Sequence, residues 1–429
     1  MSDPADPLDP DATVVVVGAS IAGLRAAETL RAEHPGPIVV VGAEPHLPYD
    51  RPPLSKQFLA GAWDRDRIAL RSPDKLAGFG LDLRLGRRAL SLDVGERVLA
   101  LDDGTEVGFD ALVVATGAAP RRLPSTEGIE GVHVLRTLDD AVALAADLGV
   151  HPLAPAGAGA GERPPAEAVR LVVVGAGFIG AEVASTAHGL GARVTVVEAL
   201  AVPLGRVLGD EMGAQCAALH QDHGVVLRTG VSVEGLRTAP APGGQRVTGV
   251  VLADGTVLDA DVVVVGVGVS PVTAWTEGSG LVVDDGILVD EYLFAADGVA
   301  VAGDVARWCD PDTGQHRRIE HWTNATEQGA HAARNLVRGR HDAMAYRPVP
   351  YFWSDQYDVK IQVIGYPAPG DDVVVVDGAL DEHRFVALYG RDGMLSAALG
   401  FGRPRQLMAF RPLLEAGASF DEALALMAG

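Results

Sequence analysis

Two glycine clusters point to the chemistry of this chain. Gly175-Ala176-Gly177-Phe178-Ile179-Gly180 follows the apolar run Leu171–Val174 and precedes a stretch of helical periodicity. In such a turn the first glycine permits the tight strand-to-helix reversal, the second lets the backbone approach a pyrophosphate, and the third lets the helix pack closely on the strand. The pyrophosphate then rests on the free N–H groups and positive end of the helix. Glu198 follows about 20 residues later, the spacing that completes a dinucleotide site. A carboxylate there accepts hydrogen bonds from the adenosine ribose and repels a 2′-phosphate, so it favours NADH over NADPH. Arg206, a few residues on, is the one nearby residue that would favour NADPH instead.

The second cluster is Gly18-Ala19-Ser20-Ile21-Ala22-Gly23, after the run Thr13–Val17. Here Ser20 replaces the middle glycine. Its hydroxyl is able to hydrogen-bond a phosphate; the other reading is a Rossmann-like strand and helix without a ligand. A nucleophile elbow is excluded, because that motif needs glycine two residues after the serine and Ala22 stands there. Glu44 ends the next apolar run, Ile38–Glu44, and matches Glu198 as a partner for ribose hydroxyls.

The elements that must carry these residues occur twice. Each copy has a buried strand, a glycine turn, a helix and a second strand ending in an acid. Each then has an Asp-Gly-Thr turn, Asp103-Gly104-Thr105 and Asp254-Gly255-Thr256. Each closes on a strand running into glycine and proline: Leu112–Thr116-Gly117-Ala118-Ala119-Pro120 and Val262–Gly266-Val267-Gly268-Val269-Ser270-Pro271. Five features in the same order identify an internal repeat. Between the copies, Ala154–Pro165 is Gly/Ala/Pro-rich and reads as a surface linker. From about Tyr346, Val359–Ile364 and Val373–Val376 read as strands of a smaller domain, and Pro404–Met427 as helical segments. The fold class is therefore α/β, with two Rossmann-like dinucleotide-binding domains plus a smaller α+β C-terminal domain.

Composition narrows the classes. The 429 residues carry a formal charge of −22, which opposes nucleic acid as a partner. No apolar run reaches the length of a membrane span. Met1–Asp11 is acidic and Pro-rich, without the basic and apolar regions of a signal peptide, so a cytoplasmic protein is expected. The two cysteines, Cys216 and Cys309, lie far apart, with no C-x-x-C and no metal-ligand spacing; no metal is expected.

Further strings carry a family resemblance. They are Pro48-Tyr49-Asp50-Arg51-Pro52-Pro53-Leu54-Ser55-Lys56, Ala115-Thr116-Gly117, Val301-Ala302-Gly303-Asp304, Glu320-His321-Trp322-Thr323-Asn324-Ala325 and Tyr351-Phe352-Trp353-Ser354-Asp355-Gln356. With the two dinucleotide folds, they resemble the NADH-dependent ferredoxin reductases of oxygenase systems, the putidaredoxin and rhodocoxin reductase group. The resemblance runs from about Thr13 to Leu413. It implies FAD and NADH as cofactors, with FAD held by residues 12–120 and 271–345, NADH by 121–270, and a C-terminal domain over 346–429. It assigns Gly18, Ser20, Gly23, Glu44, Arg51, Pro52, Lys56, Thr116, Gly117, Gly303, Asp304, Glu320 and Trp322 to FAD. Gly175, Gly177, Phe178, Ile179, Gly180 and Glu198 fall to the nicotinamide dinucleotide. It places Lys56 near flavin N5, paired with Glu182, and Trp322 near the flavin ring.

Other readings stand beside these: a solvated lysine for Lys56, an ordinary helix polar residue for Glu182, a core aromatic for Trp322. Thr323-Asn324-x-x-Glu327 offers capping residues for a helix starting near Ala325, whose N-terminus would favour negative charge on a reduced flavin. No cysteine precedes Cys216, so the thiols of disulphide- and peroxide-reducing relatives lack a counterpart; Cys309 is retained as a candidate reactive thiol. The expected activity is hydride uptake from NADH and one-electron delivery to a 2Fe–2S ferredoxin, with rubredoxin as a variant acceptor. The alternatives are NADH oxidase, a small-molecule reductase, or a redox-sensing flavoprotein like apoptosis-inducing factor. Arg65, Arg67, Arg71, Arg403 and Arg405 are the candidate docking cations. The sequence leaves the oligomeric state open.

Overall fold

The computed structural model describes residues 7–124, 126–151 and 169–426. The expected linker, Ala154–Pro165, lies outside them. The chain divides into two compact units. One draws on Met1–Asp50, Ala69–Ala119 and Val269–Pro348, the other on Arg51–Ile68, Pro120–Gly268 and Val349–Gly429.

In the first unit, six strands form one sheet in the order Phe294–Ala296, Val299–Val301, Ala111–Val114, Val14–Val17, Ile38–Gly42, Asp82–Leu85. All pairs but the outermost, Phe294–Ala296 with Val299–Val301, are parallel. Val14–Val17 is buried on both faces, as a run of four valines at the middle of a parallel sheet must be. Helices Ile21–Glu33 and Trp322–Arg338 pack together at Gly329, where an added Cβ would lie 2.2 Å from Ala22 O. Only glycine allows that approach.

The second unit repeats the theme with a five-stranded parallel sheet: Val132–His133, Val262–Val265, Arg170–Val174, Arg193–Val197, Val226–Arg228. It also holds a five-stranded antiparallel sheet, Tyr351–Gln356, Val359–Gly365, Met394–Phe401, Arg384–Arg391, Asp372–Ala379, with short helices from Pro404 to Ala425. The residues from 346 onward read in sequence as a domain of their own. In the structure, those from Val349 share a compact unit with the nucleotide module. The cause is a common core: Leu208, Met212, Cys216 and Leu219 of the module pack with Ile361, Phe385, Tyr389 and Phe401. Burial of such side chains contributes ~1.5–3 kcal/mol each.

Two further differences concern local structure. Arg51–Ile68, expected within 12–120, joins the second unit, with Leu59 in the core formed by Leu144, Leu148, Val183 and Ala187. The helix expected from about Ala325 starts at Trp322, with His321 as the extended N-cap residue. Asn324 does not cap; it is buried in the first turn, where its Nδ2 donates to Ile319 O at 3.1 Å and its Oδ1 accepts from Tyr346 at 3.0 Å.

Candidate functional site

The two glycine turns are built alike at their first and third glycines. The Gly18 amide donates to Val41 O and the Gly175 amide to Val197 O, both at 2.7 Å. Each first glycine has a positive φ, +114° and +100°, and lies against the neighbouring strand end. A Cβ there would sit 2.1 Å from Ala115 O or 2.3 Å from Gly266 O. Each third glycine lies under the first: a Cβ on Gly23 would sit 1.7 Å from Gly18 O, and one on Gly180 2.1 Å from Gly175 O. These four glycines are therefore required by the turn itself.

The middle position differs in kind. A Cβ on Gly177 would meet no protein atom within 4 Å, and its φ of −72° suits any residue. The protein leaves this space open in front of the first amides of helix Phe178–Gly189. Ile179, in that first turn, is 48% exposed. Free amides at a helix N-terminus fit a dinucleotide pyrophosphate. The equivalent residue of the first copy, Ser20, is the extended N-cap of helix Ile21–Glu33.

Glu198 lies against its turn. Its Oε2 accepts from the Ala176 amide and its Oε1 from the Leu200 amide, both at 2.8 Å. This fixes the carboxylate with lone pairs left for ribose hydroxyls. Glu44 takes the hydroxyl of Tyr49 as a donor.

Other residues of the first unit gather at the ends of its strands. Thr116 Oγ1 donates to Val272 O at 2.9 Å, Gly117 has a φ of +69°, and Val272 N donates to Gly117 O. Gly303, φ +77°, donates its amide to the buried Gln328 Oε1 at 2.9 Å, which ties Gly303-Asp304 to helix Trp322–Arg338. Glu320 pairs with Arg318. Trp322 is half-buried rather than a core aromatic, and its Nε1 donates to Asp50 Oδ1 at 2.7 Å. The fully buried tryptophan is Trp308. Burial pushes the His321 pKa down to about 4, against the opposing pull of Asp304, so its ring is neutral at pH 7.

In the second unit, Arg51 donates to Arg136 O, and Pro52 opens a 3-10 turn, Pro52–Ser55, that delivers Lys56. Lys56 Nζ lies 2.7 Å from Glu182 Oε2, with the side chains only 10% and 3% exposed. Lys56 is therefore not a solvated lysine, and Glu182 is not an ordinary polar residue of its helix but a buried carboxylate paired with that lysine. A buried carboxylate requires such partners.

The cysteines take no visible part. Cys216 is buried in helix Asp210–Asp222, and burial pushes its thiol up to about 12. Cys309 is also pushed up, by burial and by Glu291, Asp310 and Asp290, so its thiolate is disfavoured. Among the described residues no cluster of His, Cys, Asp and Glu is arranged to hold a metal ion. Of the candidate docking arginines, Arg71 pairs with Glu28 at 2.5 Å and Arg403 with Asp377 at 3.3 Å. Arg67 lies over the Trp63 ring at 4.5 Å, and Arg65 and Arg405 are exposed. No helix among the described residues is long and apolar enough to cross a membrane.

Sequence reasoning missed Asp50, Ser55, Thr186 and the role of Ser354. Asp50, Ser55 and Ser354 lie inside strings already singled out; their contacts span 127 to 272 residues and leave no local signal.

Comparison with known proteins places the chain in a family. A family model described as pyridine nucleotide-disulphide oxidoreductase matches residues 12–329, and one described as reductase C-terminal matches 351–427. Rhodocoxin reductase of Rhodococcus erythropolis is 37% identical over 405 residues, covering 94% of this chain and 89% of its own. The ferredoxin–NAD(+) reductase component of the anthranilate 1,2-dioxygenase system of Burkholderia cepacia is 38% identical over 412 residues, 95% of each chain. The crystal structure of the covalent putidaredoxin reductase–putidaredoxin complex matches with a TM-score of 0.86 at 32% identity, over 95% of this chain and 94% of that one. Two dinucleotide turns of one design, followed by a matching C-terminal domain, make this chain a member of the pyridine nucleotide-disulphide oxidoreductase family.

Proposed function

We propose that the chain is an FAD-dependent NADH–ferredoxin reductase, which takes hydride from NADH and passes electrons singly to a 2Fe–2S ferredoxin that feeds an oxygenase. The observation that carries this reading is the pair of dinucleotide turns in a chain whose two thiols are both disfavoured as thiolates. Two dinucleotides allow hydride to pass between them; without a reactive thiol, the electrons go on to an external acceptor. The named relatives, a rhodocoxin reductase and the ferredoxin–NAD(+) reductase component of a dioxygenase system, support the acceptor class. When bound, FAD accepts the hydride and releases electrons one at a time.

The residues of this chain have distinct parts in that reading. FAD is held by residues 12–120 and 271–345: Gly18, Ser20 and Gly23 at the pyrophosphate, Glu44 at the ribose, with Arg51, Pro52, Thr116, Gly117, Gly303, Asp304 and Glu320 around the remainder. NADH is held by residues 121–270, through Gly175, Gly177, Phe178, Ile179 and Gly180 at the helix start and Glu198 at the ribose. The C-terminal domain is residues 346–429. Lys56, Glu182 and Trp322 are the catalytic group. The Lys56 ammonium favours negative charge on the reduced cofactor, and Glu182 holds that ammonium in place. Trp322, held by Asp50, orients the ring. Reduction needs no thiol and no metal ligand from the protein. A cytoplasmic location fits, since free thiols persist in a reducing compartment.

The test is anaerobic stopped-flow reduction of the purified holoenzyme. NADH at saturation bleaches the flavin absorbance, and NADPH does so with much lower kcat/KM. A chain that purifies and reconstitutes without FAD, or whose flavin NADH leaves oxidised, overturns the proposal.

A further inference from the structure

The Phe-Trp-Ser-Asp-Gln string carries a contact that the proposed function does not yet use. Four interactions fix strand Tyr351–Gln356 and the turn after it on helix Phe178–Gly189. Phe352 meets Phe178 edge-on, with ring centroids 4.9 Å apart. Ser354 Oγ donates to Glu182 Oε1 at 2.8 Å, and the Asp355 amide donates to the same oxygen at 3.3 Å. The Tyr357 amide donates to Ser185 Oγ at 2.6 Å. Positions 178, 182 and 185 are spaced by four and three and share one helix face. Positions 352 and 354 share one strand face.

The other carboxylate oxygen serves the segment that carries Lys56. Glu182 Oε2 accepts from Ser55 Oγ at 2.5 Å and from Lys56 Nζ at 2.7 Å. Thr186, one helical turn beyond Glu182, donates to Ser55 O at 2.8 Å. The carboxylate is thus divided, one oxygen toward the strand and one toward Ser55-Lys56. The direction of the Ser354 hydroxyl is also set. Gln356 Nε2 donates to Ser354 Oγ at 3.3 Å, which commits the single serine proton to Glu182. Ser354, Gln356 and Glu182 are all buried. No water shell can replace a lost donor without rearrangement.

We propose that Ser354 is a positioning residue for hydride transfer: by holding Glu182 Oε1 it fixes the carboxylate plane, and so fixes the Lys56 ammonium on Oε2. The inference rests on the reading in which Lys56 acts on the flavin. Without the hydroxyl, Oε1 keeps only the longer Asp355 bond, and the carboxylate plane is held less firmly although Oε2 keeps Ser55 and Lys56. Lys56 then loses its single position although its charge remains.

Ser354→Ala removes one oxygen atom and leaves the apolar register contacts intact. In the holoenzyme it lowers the limiting rate of flavin reduction roughly tenfold, while the Kd for NADH stays within twofold. In a Lys56→Met background the same substitution has no further effect on that rate, because its action passes through Lys56. A second readout needs no flavin. The chain has three lysines, Lys56, Lys75 and Lys360, so peptide mass spectrometry resolves the acylation of each. In the unsubstituted protein Lys56 is acylated far more slowly than the exposed Lys75. Ser354→Ala raises the Lys56 rate several-fold against Lys75 as internal standard. Unchanged Lys56 acylation in Ser354→Ala overturns the inference, as does an equal slowing of reduction in the Lys56→Met background. If Lys56→Met by itself leaves reduction unchanged while Ser354→Ala still frees Lys56 to acylation, the fault lies in the catalytic reading of Lys56 instead.

Discussion

Substituting the two later glycines of the second turn should separate cofactor contact from fold. Gly177 and Gly180 are three residues apart, but alanine meets different surroundings at each. At Gly180 the new Cβ would lie 2.1 Å from Gly175 O and 3.3 Å from Val173 Cγ1, so helix Phe178–Gly189 must move off its strand. Overpacking of this kind costs ~1–3 kcal/mol. At about 2–4 °C per kcal/mol for a unit of 150–250 residues, Gly180→Ala lowers Tm by ~2–12 °C. At Gly177 the Cβ meets no protein atom within 4 Å, and the φ of −72° carries no penalty, so Gly177→Ala keeps the Tm. Its methyl instead enters the space assigned to the pyrophosphate. Losing one or two charge-assisted bonds from the helix amides costs ~1.5–3 kcal/mol, which raises the Kd for NADH roughly ten- to hundredfold. Gly177→Ser is milder, since its hydroxyl can bond phosphate as Ser20 is proposed to do. Calorimetry gives the Tm, and the concentration dependence of stopped-flow reduction gives the Kd. The reasoning fails if Gly177→Ala binds NADH normally, or if it destabilises the fold as much as Gly180→Ala.

The remaining predictions concern single groups. Lys56→Met retains FAD but slows reduction at saturating NADH by an order of magnitude or more; it also costs roughly 3 kcal/mol in unfolding experiments, because Glu182 loses its cation in a buried site. Full recovery of stability in Lys56→Met/Glu182→Gln, with the rate still low, separates the two effects, and an unchanged reduction rate removes Lys56 from the catalytic group. Glu198→Arg narrows or reverses the preference for NADH through Kd rather than limiting rate; equal kcat/KM for NADH and NADPH in the unsubstituted enzyme contradicts the role of Glu198. Cys309→Ser keeps full activity, and any large loss reinstates Cys309 as a functional thiol. Burial holds His220 and His321 near pKa 4, below the ordinary 6.5, so the unfolded chain binds protons that the folded one refuses. Their stability contribution is complete above pH 6.5 and is lost as pH falls toward 4, at up to ~1.4 kcal/mol per histidine per pH unit. Urea midpoints measured from pH 7 to 5 that stay level contradict that burial.

Much of this site could be read before the structure, for a physical reason. A pyrophosphate turn is made by residues adjacent in sequence, so Gly175, Gly177 and Gly180 declare it locally, and Glu198 follows one strand later. The repeat then supplied Gly18, Gly23 and Glu44. Local signals misled at Thr323-Asn324, which look like caps until Asn324 turns out to be buried against Ile319 and Tyr346. In the arginine clusters, Glu28 and Asp377 pair with Arg71 and Arg403 through contacts that charge counting cannot see. Nor does any pattern near Arg51–Ile68 tell which core Leu59 enters. Ser354 is the clearest instance: its string stood out, but its partner Glu182 lies 172 residues away. Only the register of a strand against a helix joins them.

The central claim is that electrons from NADH leave one at a time to a protein acceptor. Its most direct test is anaerobic: limiting NADH, catalytic enzyme and an excess of 2Fe–2S ferredoxin, with both chromophores followed. Two ferredoxins reduced per NADH, and no NADH consumed beyond one equivalent of enzyme flavin when ferredoxin is omitted, is the predicted result. Ferredoxin left oxidised while the flavin is fully reduced contradicts the account. So does NADH oxidation in air that proceeds equally fast without ferredoxin.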